Sequence, residues 1–128
     1  MFTLINKDGN KKWFKLLMKV NPYSFTLRNH RLKGPAIEHA DGTKEWWKKG
    51  KRHRSQKMPV IEYSNGTKEW YSFVSQRLNR GFDLPAVEYS NGDKEWWQHG
   101  VRHRLTGPAV IYGNKKYWFI NGELTCIN

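Results

Sequence analysis

A proline-led segment recurs along this chain: PAIEHADGTKEWW from Pro35, PVIEYSNGTKEWY from Pro59, PAVEYSNGDKEWW from Pro85 and PAVIYGNKKYWF from Pro108. The prolines lie 24, 26 and 23 residues apart, and FTLINKDGNKKWF at the start of the sequence is a further, partial copy. Aromatic pairs keep step with them: Trp13-Phe14, Trp46-Trp47, Trp70-Tyr71, Trp96-Trp97 and Trp118-Phe119. A period of this length restricts the chain to a stack of similar small units. One unit is too small to bury a core and gains one only from its neighbours. The copies run 2–34, 35–58, 59–84, 85–107 and 108–128, and form one repeat domain over 1–128.

Within a copy the pattern is that of strands. Val87-Glu88-Tyr89 alternates and favours β structure. Asn91-Gly92 is a hairpin signal, His99-Gly100 makes a second turn, and Asn121-Gly122 matches it in the last copy. Each leading proline lacks the N–H that a ladder needs, so it suits a strand start or edge. No helical periodicity persists. The expected fold is all-β: a single-domain antiparallel meander of stacked hairpins in a twisted sheet.

Turn lengths select the register. From Tyr89 to Trp96 is seven residues, but from Tyr112 to Trp118 is six. A three-residue loop, Ser90-Asn91-Gly92, is thus exchanged for the two-residue loop Gly113-Asn114 with the pairing unchanged. This sets Glu88 opposite Lys94, Glu62 opposite Lys68 and Glu38 opposite Lys44, each pair contributing roughly 0.2–1 kcal/mol. The alternative register sets Glu88 against Glu95. Strand alternation then places Val87, Tyr89 and Trp97 on one face and Ala86, Glu88, Lys94 and Trp96 on the other. One face is expected to be the main core. The other carries a ladder of Trp13, Trp46, Trp70, Trp96 and Trp118 among charged groups.

Two copies are irregular. The first has about ten extra residues between Phe14 and His30, where Leu16, Leu17 and Met18 are placed to cap the open end of the sheet. The third replaces the turn after Trp70-Tyr71 with SFVSQRL.

The pattern W-[WYF]-x-x-G-x-x-H-R-x-x-G-P-A is carried best by HRLKGPA from His30 and HRLTGPA from His103. It resembles tandem hairpin repeats of uncharacterised proteins of large bacteriophages and giant DNA viruses, and is similar in style to MORN-type repeats. The third copy departs with Asn79-Arg80 and the last with Thr125-Cys126, and the Tyr-x-Gly opening of MORN repeats is absent. The resemblance implies a β-repeat scaffold of phage or viral origin, in a style associated with binding or membrane-apposing modules, and it implies no reaction.

The balance of 23 Lys+Arg against 11 Asp+Glu gives a net charge of +12, a field that attracts nucleic acid, acidic protein or anionic lipid. Hydrophobic content is only 38% while aromatics reach 15%, so ring burial must supply much of the core. The one cysteine, Cys126, permits no internal disulfide and no cysteine-based zinc site. The N-terminal sequence lacks the apolar stretch of a signal peptide, and no run approaches a membrane span. The expected location is the cytoplasm, that of the host if the chain is phage-encoded.

Candidate sites divide by whether the repeat requires them. His53-Arg54 and His103-Arg104 recur with the copy, so a structural role is favoured: histidine bonding a neighbouring hairpin, arginine lying on an aromatic face. Anion contact comes second, and metal or catalytic chemistry a distant third. Glu38, Glu62, Glu88, Glu45, Glu69 and Glu95 also recur, each with a lysine neighbour, and Cys126 has no histidine partner in view. Neither a cofactor nor a metal site is expected, and the chain reads as no enzyme. The run DGTKEWWKKGKRHR differs. Its counterpart NGDKEWWQHGVRHR has Gln98, His99 and Val101 where the first has Lys48, Lys49 and Lys51, so the repeat does not need those lysines. Lys48, Lys49, Lys51, Arg52, Arg54 and Lys57, with Arg102, Arg104 and the rings of Trp46, Trp70 and Trp96, are the candidate partner-binding set. Lys11, Lys12, Lys15 and Lys19 form a second basic cluster, and Arg28, Arg31 and Lys33 a third. The expected activity is binding of nucleic acid or a ribonucleoprotein, phosphates on the cations and bases on exposed rings. The alternatives are a solvated charged face and a protein-interaction module, such as a phage inhibitor on an acidic host protein. Rings on both faces also leave room for a homodimer.

Overall fold

The structure is a computed structural model and describes residues 2–18, 25–55 and 57–128, with side chains omitted at Phe2, 16–18 and 25–27. The chain forms two compact units, 1–64 and 65–128, whose boundary falls inside the copy 59–84. No helix is present among the described residues, and hence none long and apolar enough to cross a membrane.

The first unit contains β1 (Phe2–Ile5), β2 (Lys11–Met18), β3 (Phe25–Asn29), β4 (Ile37–Glu38), β5 (Lys44–Glu45), β6 (Trp47–Lys48), β7 (Lys51–Arg52) and β8 (Ile61–Glu62). Its strands pair antiparallel in the order β1-β2-β4-β5-β8, β3 adds to the far end of β2, and β6 and β7 form a separate hairpin. The second unit contains β9 (Lys68–Glu69), β10 (Val87–Glu88), β11 (Lys94–Glu95), β12 (Trp97–Gln98), β13 (Val101–Arg102), β14 (Val110–Tyr112), β15 (Lys115–Ile120) and β16 (Glu123–Ile127). Its order is β9-β10-β11-β14-β15-β16, with the hairpin β12-β13 apart. The expected all-β antiparallel meander of hairpins is therefore the observed fold.

The register is the one chosen on charge grounds: Glu38 faces Lys44 and Glu88 faces Lys94. Each of these glutamates meets a second lysine on its other side, Lys11 for Glu38 and Lys68 for Glu88. The turn chemistry follows. Asp41, Asn65 and Asn91 accept through their side chains from the backbone N–H two residues on, at 2.8–2.9 Å. Gly92 at φ +95° closes the three-residue loop, and Tyr112 faces Lys115 across the two-residue loop.

Core residues come from both faces. Ala36, Ala86 and Ala109 are fully enclosed, with Val60, Trp70 and Trp96 also buried. On the other face Ile37, Ile61, Val87 and Val110 are buried, together with the carboxylate residue Glu95. In the first copy β2 continues past Phe14 and pairs with β3 as far as Met18 opposite Phe25. The ten-residue insertion is thus a lengthened second hairpin. The capping expected of Leu16, Leu17 and Met18 lies outside the described side chains, as does Lys19. SFVSQRL in the third copy is a compact turn closed by a bridge between Tyr71 and Leu78.

Candidate polyanion-binding surface

The tryptophan ladder builds one wall of each copy. The first tryptophan of each of the first four copies donates its backbone N–H to the next copy: Trp13 to the Ala36 carbonyl, Trp46 to Val60, Trp70 to Ala86 and Trp96 to Ala109. In the second and fourth copies the chain then leaves the main sheet for the hairpins β6-β7 and β12-β13, and in four copies the returning arginine folds onto the ring. Arg31, Arg54, Arg80 and Arg104 lie 4.1, 3.6, 3.8 and 3.9 Å from the centroids of Trp13, Trp46, Trp70 and Trp96. Each also donates Nη1 to the carbonyl of the following proline, at 3.0–3.2 Å. In three copies the same nitrogen reaches the sheet glutamate: Arg31 to Glu38, Arg54 to Glu62 and Arg80 to Glu88. The expected open platforms for bases are therefore absent at these positions. Trp70 and Trp96 are buried, Trp46 is half-buried, and a guanidinium occupies one face of each ring.

On the opposite face Arg52 sits 4.8 Å from the Trp47 centroid and 3.7 Å from Glu45, and Arg102 sits 5.3 Å from Trp97. Arg102 also donates to Glu95 at 2.8 Å. Glu95 is only 3% exposed and accepts further bonds from Tyr112, from Tyr89 at 3.1 Å and from the Trp97 indole at 3.2 Å. Burial alone pushes its pKa up, but the bonds from Tyr112, Arg102 and Trp97 together outweigh burial and hold it below the ordinary value. Arg52, Arg54 and Arg102 are accordingly committed to rings and glutamates within the fold, and Arg104 to Trp96.

The recurring histidines join copies. His103 Nδ1 accepts from the backbone N–H of Asn121 at 3.0 Å, and His30 Nδ1 from that of Lys49 at 3.1 Å. Asn79, standing in the histidine position of its copy, accepts from His99 N–H at 3.1 Å. The three donors have left-handed backbones, with φ +48°, +49° and +46°, and each precedes a glycine in a two-residue turn. His30 is buried. Burial first, then Lys15, Lys48 and Lys49, lower its pKa, which suits a neutral ring whose Nδ1 accepts.

Those three lysines mark the basic surface. The hairpin β6-β7 docks on β3 through bonds from Gly50 to the Asn29 carbonyl and from Arg31 to the Trp47 carbonyl. Arg28 lies across the turn, its Cδ 2.7 Å from where a Cβ on Gly50 would stand. Within the hairpin Lys48 is directly opposite Lys51, and on the adjoining one Lys15 is directly opposite Arg28. Like charges in facing positions destabilise a sheet, by up to about 1 kcal/mol per pair. The fourth copy avoids this with Gln98 opposite Val101. Among the described residues no carboxylate forms an ion pair with Lys15, Lys48 or Lys49. Lys57 is exposed in the segment beyond.

Five cations therefore converge from clusters that sequence spacing kept apart: Lys15, Arg28, Lys48, Lys49 and Lys51. Lys11 instead flanks Glu38, and Arg31 covers Trp13. Asp83 was missed by sequence reasoning. It accepts from Arg104 Nε at 2.8 Å, Arg104 Nη2 at 3.1 Å and Thr106 Oγ1 at 2.7 Å. The available signal was Ile111, which stands where the other copies carry Glu38, Glu62 and Glu88 and leaves Arg104 in need of a partner. No protein-family model, curated protein or solved structure matches this chain.

Proposed function

We propose that this chain is a non-catalytic nucleic-acid-binding module, an accessory protein of the phage or viral kind its repeats resemble. It contacts phosphates through Lys15, Arg28, Lys48, Lys49 and Lys51. The observation that carries this reading is the facing of like charges, Lys48 with Lys51 and Lys15 with Arg28, the first pair at a place where the fourth copy carries Gln98 and Val101. An arrangement that weakens the free protein is relieved when a polyanion covers it. Because the ladder rings are covered by arginines, contact is to the backbone of the nucleic acid and is tolerant of sequence.

Binding of a labelled duplex is expected to weaken steeply with salt. Five phosphate contacts give a slope of log K against log salt of about −4.5, and about −3.5 for a single strand. Grafting the fourth copy's residues as Lys48→Gln, Lys49→His and Lys51→Val removes three of the five and should flatten the duplex slope by about 2.7. A slope near zero, or a graft without effect, would sink the proposal. So would a stoichiometric protein partner captured from nuclease-treated lysate, the result expected if the surface instead docks on an acidic protein.

A further inference from the structure

Arg104 breaks the rule its counterparts follow. The stack on Trp96 and the bond to the Pro108 carbonyl hold its guanidinium in place, but Ile111 cannot accept from it. Its Nε and Nη2 edge, with the Thr106 hydroxyl beside it, is therefore a preset fork for an oxyanion. Asp83 fills that fork from the loop 81–84. The loop is a tight turn in which Leu84 N–H bonds to the Gly81 carbonyl, and both central residues have left-handed backbones, Phe82 at φ +60° and Asp83 at φ +52°. The equivalent geometry elsewhere in the chain uses a glycine at the second position, as in Lys49-Gly50 and His99-Gly100. Phe-Asp is a poor sequence for it, and phenylalanine especially so. What holds the turn is the Asp83 carboxylate on Arg104 and Thr106, plus the bond from Trp96 Nε1 to the Asp83 carbonyl at 3.0 Å. Phe82, meanwhile, is 90% exposed. The cleft at this loop measures ≈ 190 Å³ and is lined by Phe82, Asp83, Trp96, Trp97, Arg104 and Thr106, among others.

We infer that Arg104 and Thr106 form a receptor for the phosphate of a nucleotide, that Asp83 occupies it as an internal stand-in, and that Phe82 offers its ring to the base. This rests on the reading of the chain as a nucleic-acid binder, but uses residues of the unit 65–128 and none of the five basic residues named above. An aromatic ring beside a cationic fork fits a base and its phosphate together. The strained turn favours release once another oxyanion takes the fork, while the tethered carboxylate competes at millimolar effective concentration.

The test is titration of the full chain with adenosine 5′-monophosphate, adenosine and inorganic phosphate, read at the Trp96 indole N–H by NMR. The wild type is expected to bind the monophosphate in the millimolar range. Asp83→Asn should bind it at least tenfold more tightly, and Arg104→Gln added to that variant should abolish the gain. Adenosine should not bind, and inorganic phosphate should bind more weakly than the nucleotide. Both asparagine and glycine tolerate a left-handed backbone, so Asp83→Gly serves if Asp83→Asn does not fold. An Asp83 variant that loses thermal stability without gaining affinity would overturn the inference, leaving Asp83 a purely structural partner. Equal binding of adenosine, or of inorganic phosphate, would overturn it as well. The lysine graft separates the two readings. Salt-steep oligonucleotide binding with no nucleotide response sinks this inference alone; a flat salt response with the nucleotide response intact sinks the other alone.

Discussion

Single residues in this protein hold several partners at once, and their substitutions should reflect that. Arg54 stacks on Trp46 at 3.6 Å and bonds both the Pro59 carbonyl and Glu62, with its side chain 20% exposed. Arg54→Met is expected to cost about 2 kcal/mol in urea unfolding, combining a partly desolvated cation–π contact with charged hydrogen bonds. Arg54→Lys should recover little, because an ammonium cannot lie flat on the ring while reaching two acceptors. His30 links stability to pH. Its folded pKa lies below its ordinary value of 6.5, so the unfolded chain takes up the proton first. Its contribution is full above pH 6.5 and is lost as pH falls from there through the folded pKa. His30→Asn copies the acceptor that Asn79 supplies and should remove this part of the pH dependence while keeping stability near neutrality, as thermal melts between pH 7 and pH 5 would show. Glu95 titrates with the opposite partner set and lower down. Its folded pKa is depressed from 4.5, so its contribution is present above that value and fades as pH falls through the folded one. The stability gap between wild type and Glu95→Gln should therefore close on acidification.

Hairpins are the elements that sequence made most legible, because their length, charge pairing and turn residues all point to one register. Glu88 opposite Lys94 and the three-for-two loop exchange both follow from spacing alone. The second hairpin of each copy was legible only as a turn. It leaves the main sheet after Trp46 and Trp96, a break that periodicity does not encode, although the recurring His-Arg does suggest an arginine lying on a ring. Gly100 shows how tightly these second hairpins dock: at φ +84°, a Cβ there would stand 2.9 Å from Arg77 Cδ. Gly100→Ala is expected to cost at least about 1 kcal/mol in urea unfolding through the left-handed backbone alone. Lys48→Glu should act in the other direction. It turns a repulsive facing pair into an attractive one and should raise stability by a few tenths of a kcal/mol to about 1, while weakening polyanion binding. A protein that becomes more stable as it binds less would separate the two uses of that strand.

At the scale of the molecule, a net charge of +12 was plain in composition, but its distribution was not. Arg52, Arg54 and Arg102 looked like part of a surface and are instead fasteners held on rings and glutamates. Lys15 and Arg28 lay in separate clusters along the sequence and come together because the lengthened hairpin of the first copy folds back beside β6. Only strand pairing could reveal that convergence. The histidine links carry a different implication. Three copies present an acceptor from the returning strand, and in each case the copy after it presents a donor from its turn: His30 to Lys49, Asn79 to His99, His103 to Asn121. The joint has a socket on one side and a plug on the other, as a polymer of identical monomers would. A gene segment duplicated at the copy boundary brings both halves with it, so such a chain can lengthen or shorten by whole copies without inventing a new interface. Variation within a copy is then the route to novelty, and Lys48, Lys49, Lys51 and Ile111 are among the positions where the copies of this chain differ.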